Sequence, residues 1–135
     1  MQATDATVEW SVLQNQYDSY EKFSLVIKLT SVLVVAILLG LELPMLACVL
    51  VAVLWFQDAI WKTFQSRMGT RLLRLEAFFA DEQAQVSAEE KPFQLNRQFE
   101  AKRPGTLGLC REYLSQAVRP TVAFPHAVLF LVCLV

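Results

Sequence analysis

Glycine and histidine are scarce in this chain, with four of the first and one of the second in 135 residues. Without a glycine-rich run there is no loop to cradle a phosphate, and no nucleophile stands at a recognisable spacing from a base. No catalytic residue and no cofactor are therefore expected, and the chain does not read as an enzyme. Cysteine is also sparse. Cys48, Cys110 and Cys133 lack metal-ligand spacing and are split between apolar and polar stretches, so neither a metal site nor a disulfide framework is expected. Positive charge is not in excess: 12 Lys and Arg stand against 13 Asp and Glu. A nucleic-acid partner, which would require a concentrated cationic face, is excluded on that ground. A cleaved signal peptide is not expected either. The segment before the first apolar run is long and acidic, no Ala-x-Ala site follows, and a second apolar run comes at once.

What the chain does have is apolar length. Of its residues 55% are hydrophobic, and the mean hydropathy is +0.38. From Phe23 to Trp61 two apolar runs are joined by the corner Gly40-Leu41-Glu42-Leu43-Pro44. Ser24 to Leu39 carries Lys28 as its one charge, and Met45 to Phe56 carries none. At about 1.5 Å per residue each arm reaches across a hydrocarbon layer of roughly 30 Å. The expectation is an all-α membrane protein: a transmembrane helical hairpin with spans at about 23–41 and 43–60. Basic residues flank the ends away from the corner (Lys22, Lys28, Lys62, Arg67, Arg71 and Arg74), while the corner has none. This bias puts the corner outside and the N-terminus in the cytoplasm of an inner membrane.

Helical patterning continues beyond the spans. Trp10, Leu13, Tyr17, Tyr20 and Phe23 recur at spacings of three and four, as do Trp61, Phe64, Met68, Leu72 and Leu75. Residues 4–22 read either as a helix on the lipid headgroups or as a helix running straight into the first span. The second reading is preferred because of register. Paired across the corner, Tyr20 with Phe64, Tyr17 with Met68, Leu13 with Leu72 and Trp10 with Leu75 have residue numbers that sum to 84 or 85. Residues 1–80 are thus expected to form the hairpin plus a cytoplasmic antiparallel stalk. Burial is worth roughly 1.5–3 kcal/mol per large side chain. Residues 81–105 read as a connector, 106–119 as a short helix ended by Arg119-Pro120, and 120–135 as a short C-terminal membrane segment. At about 22 Å that last segment is short of a full crossing. A third span in thinned bilayer, a re-entrant segment, and a span that continues past residue 135 all remain open.

Several polar residues carry two readings each. Lys28 either snorkels to the headgroups or sits in a wet cavity between subunits. Thr30 and Ser31 either bond back to their own helix or line a polar path. Asp58 and Lys62 read as a helix-neighbour pair. His126 reads as an interfacial side chain or as a proton relay. Arg67, Arg71 and Arg74 either form a solvated flank paired with Glu76, Asp18 and Glu9 or contact an anion such as a lipid headgroup. Small residues Ala36, Gly40, Cys48 and Ala52 are candidates for close helix contact.

The layout, with its aromatic-rich leading helix and its run Trp55-Phe56-Gln57-Asp58 … Arg67 … Arg71 … Arg74-Leu75-Glu76, resembles bacterial two-transmembrane effector proteins of the SLATT type over residues 8 to 80. The resemblance implies a self-assembling bundle that perturbs the membrane when triggered. The apolar tail after Pro120 departs from that two-span plan. Two functions follow as expectations: a homo-oligomeric membrane bundle or pore, or a non-conducting accessory subunit of a larger membrane complex. Membrane lipids are partners in both, and another membrane protein in the second.

Overall fold

The computed structural model describes residues 3–80 and 91–135, and among them every regular element is a helix. Two long helices dominate: α1 (Ala3–Gly40) and α2 (Pro44–Ala80), of 38 and 37 residues. Each extends about 55 Å at the ordinary helical rise. Both are long and apolar enough to cross a membrane. Three shorter helices follow: α3 (Leu95–Ala101), α4 (Thr106–Ala117) and α5 (Pro120–Leu134).

The corner between α1 and α2 closes by hydrogen bonds rather than by glycine. Leu43 N–H donates to Leu38 C=O, and Glu42 N–H donates to Leu39 C=O. This crossed pair is the Schellman pattern, and it requires a left-handed residue just past the helix. Glu42 takes that place, with φ of 60°. Pro44 then starts α2, where its missing N–H costs nothing.

Two apolar clusters hold α1 to α2. Far from the corner, Ala6 and Leu13 of α1 meet Met68, Leu72 and Leu75 of α2, with Trp10, Tyr17, Tyr20 and Phe78 packed around them. Near the corner, Val35 meets Ala47, Cys48 and Val51, and Cys133 of α5 joins them, with Leu129 and Phe130 alongside. The helix α5 therefore runs beside the hairpin toward the corner. It meets α4 at a bend of 76°, and by length and composition the two together fit either a broken span or a re-entrant segment.

Several details differ from the sequence reading. Phe64 lies outside the distal cluster and is largely exposed, because its position on α2 is rotated toward Arg67 rather than toward α1. Ala36, Gly40 and Ala52 are exposed, so of the four small residues only Cys48 lies in the close contact. Ser31, Val35, Ala47 and Val51 form that face instead. Within the stretch read as connector, Leu95–Ala101 is helical and Leu95 packs on the distal cluster. The remainder of that stretch, 81–90, lies outside the described residues.

Candidate functional site

The apolar halves of α1, α2 and α5 enclose one group of polar side chains. Asp58, Ser24 and His126 are each fully buried. Counted from Pro44, Asp58 is 14 residues along α2, or about 21 Å. A hydrocarbon layer of about 30 Å beginning at the corner therefore encloses it. A carboxylate there is costly unless its oxygens are satisfied.

Each of the three helices supplies a partner. Ser24 Oγ of α1 donates to Asp58 Oδ1. His126 Nε2 of α5 lies 3.3 Å from Asp58 Oδ2. Lys28 Nζ, one turn along α1 from Ser24, is 3.8 Å from the same oxygen and donates to the Thr121 carbonyl at 2.7 Å. Trp55, nearly one turn before Asp58, lies parallel to the imidazole with ring centroids 6.4 Å apart. Its indole N–H donates to Ala117 C=O of α4 at 3.0 Å. Asp58 thus ties both α1 and α5 to α2 by polar contacts. No family model, curated protein or solved structure matches this chain.

Lys28 does not snorkel away from the helices; its ammonium turns inward between Asp58 and α5. Asp58 is not the partner of Lys62. Lys62 instead bonds Glu21 and Gln65, because Asp58 projects toward α1 and α5 while Lys62 lies one turn further on, facing Glu21. His126 is fully buried within the chain, with its ring parallel to that of Trp55. Ser31 is buried and bonds back to Ile27 C=O, while Thr30 is exposed. The hairpin register contained a signal for the Ser24–Asp58 contact, since their numbers add to 82, close to the other pairs. Nothing in the spacing pointed to His126 as the third member.

The arginines occupy a second tier beyond the spans. Arg71 grips Glu9 through two bonds, Nε to Oε1 at 2.8 Å and Nη2 to Oε2 at 3.0 Å, with both side chains almost fully buried. The Phe93 N–H also donates to Glu9, and the Lys91 carbonyl accepts from Arg71, so α3 and its approach are fastened to this pair. Arg67 pairs with Glu112 of α4 at 2.8 Å, and its guanidinium lies 3.8 Å from the centre of the Phe99 ring. The expected neighbour Asp18 instead accepts from Gln14, and Glu76 from Trp10. Two of the three arginines are therefore already matched to carboxylates of the chain. Arg74 is exposed and lines a cavity of about 300 Å³ with Lys91, Arg97 and Lys102.

Closer to the spans, Glu21 bonds Lys62 and Gln65, and Gln65 also reaches the Tyr17 carbonyl. The Lys62 ammonium, and then the Gln65 amide, hold the Glu21 carboxyl below its ordinary value near 4.5.

Proposed function

We propose that this chain is an integral protein of the bacterial cytoplasmic membrane that self-assembles into a homo-oligomeric bundle. Its N-terminus lies in the cytoplasm, and the distal half of the hairpin forms a cytoplasmic stalk. The observation that carries this reading is apolar surface left uncovered outside the spans. Val8 and Val12 of α1, Leu73 and Phe79 of α2, Leu107 and Leu114 of α4, and Val118 just past its end are all exposed. A stalk standing in water with that much open hydrocarbon calls for a partner. The resemblance of residues 8 to 80 to SLATT-type effectors supports a second copy in that role, and identical chains associate most readily with closed symmetry.

The second reading is a non-conducting accessory or scaffold subunit. One observation favours it over a pore: the side chains of Ser24, Lys28, Ser31, Asp58 and His126 are directed toward helices of their own chain rather than toward a path between copies. Native mass measurement in nanodiscs decides the assembly. A discrete homo-oligomer from the protein expressed alone is expected, and a monomer would replace self-assembly with the accessory role. Ion flux into liposomes is expected to match that of protein-free vesicles; a clear excess would reinstate a pore. Orientation is tested on the exposed Cys110. An impermeant thiol reagent applied outside intact spheroplasts should fail to label it.

A further inference from the structure

The imidazole of His126 is bonded on one side only. Its Nε2 faces a carboxylate oxygen, which can only accept, so Nε2 carries the hydrogen in the neutral ring. The other nitrogen, Nδ1, then holds a bare lone pair. It is fully buried and has no hydrogen-bond partner. Buried polar atoms are rarely left so, and each such atom calls for an explanation. Here the unpaired base sits beside an acid whose other neighbours are Ser24 and the Lys28 ammonium.

We propose that the Asp58–His126 pair is a proton-binding site inside the membrane, loaded from the stalk side. A proton delivered by hydronium adds to the Nδ1 lone pair and leaves water behind; no other bond is broken. The imidazolium formed is balanced by Asp58, already at hydrogen-bonding distance from Nε2. Two titratable groups face the ring: Asp58 from α2, and Lys28 from α1, whose ammonium competes for the same oxygen Oδ2. Ser24 of α1 contributes a hydroxyl, and α4 contributes a carbonyl to Trp55. The next charged layer is Glu21 with Lys62.

The nearest open cavity, of about 490 Å³ and lined among others by Tyr17, Glu21, Lys62, Arg119 and Thr121, lies on the stalk side. Lys28 joins it to the cluster by bonding the Thr121 carbonyl while approaching Asp58. Toward the corner the packing is Val35, Ala47, Cys48, Val51, Leu129, Phe130 and Cys133, in which the two thiols are the only polar side-chain groups. The site therefore takes up a proton and returns it by the same route. Once the imidazolium claims Asp58, the Lys28 ammonium loses its counter-charge. The α2–α5 join tightens and the α1–α5 join loosens.

Because the chain has a single histidine, nitrogen-15 histidine labelling reports on His126 alone. The full chain in nanodiscs is titrated by NMR across about pH 5 to 8, the range in which histidine ordinarily changes charge. At the neutral end Nε2 should be protonated and Nδ1 bare, and acidification should protonate Nδ1 reversibly while helical circular dichroism holds. Asp58→Asn should lower the midpoint by about one pH unit or more, a tenfold loss of proton affinity, and Lys28→Met should raise it by a similar amount. A ring carrying its hydrogen on Nδ1 at neutral pH would overturn the proposal, as would a ring that stays neutral through the titration or midpoints that fail to move in opposite directions. Should Asp58→Asn not fold, Lys28→Met decides by itself: a midpoint unmoved or lowered rejects the site.

Discussion

Glu9 and Arg71 are nearly sealed from water, so each depends on the other's charge. Replacing Arg71 by Met strands a carboxylate among apolar neighbours and should cost about 3–5 kcal/mol. Removing both charges, with Glu9→Leu added, should recover most of that loss, since a well-packed apolar pair often matches a buried ion pair. Thermal melting of the four proteins in one detergent reads both numbers. Glu21 behaves differently because it is exposed. Its carboxyl is held lower in the folded chain than in the unfolded one, so its contribution is complete above the ordinary value near 4.5 and fades as pH falls through the lowered folded value. Glu21→Gln should therefore lower the melting temperature slightly at neutral pH and leave it unchanged in acid, so that less is lost on acidification. Residues of this kind were the least visible in the sequence. Asp58 has Lys62 four positions on, and that spacing suggests a pair. Spacing along one helix says nothing of which side chains a neighbouring helix presents, and Ser24, Lys28 and His126 proved the closer partners.

At the scale of elements, the corner carries a left-handed residue that is not glycine. Glu42→Gly relieves that backbone penalty, and the hairpin should gain roughly 0.5–1 kcal/mol, read as a raised melting temperature in detergent. Gly69 sits under a ring: a methyl there would meet Tyr17 Cε2 at 3.2 Å. Gly69→Val adds a branched side chain at the same close approach. It should destabilise the distal half by about 1–3 kcal/mol, seen as earlier proteolysis of that half than of the spans. The long elements were legible because hydropathy and helical periodicity extend over many turns. Their heights relative to one another were legible too, because a tight corner makes residue numbers on facing helices add to a near-constant value. Rotation was not. The same sum fits several neighbouring positions, which is why Phe64 and the small residues fell beside the contact rather than in it. The seven residues of α3 are too few to show a period, and their attachment depends on Arg67 and on Glu9, far away in sequence.

For the whole molecule, the place of α5 decides whether the fold is a hairpin with a loose tail or a three-helix unit. Cys48 and Cys133 share one buried cluster. With Cys110→Ser to remove the exposed thiol, a membrane-permeant oxidant or short crosslinker should join the two native cysteines within one chain, as peptide mass mapping would show. Linkage only between separate chains would detach α5 from its own hairpin. Hydropathy alone left this segment open among three arrangements. Its length is short for a span, and the contacts that seat it come from α2 and from Lys28. Both long helices are unbroken from the corner to their far ends. Such a rod has no joint at which to absorb a twist, so a swivel imposed near Trp10 is delivered to Val35 as well. Whatever grips the free tips steers the apolar half by leverage.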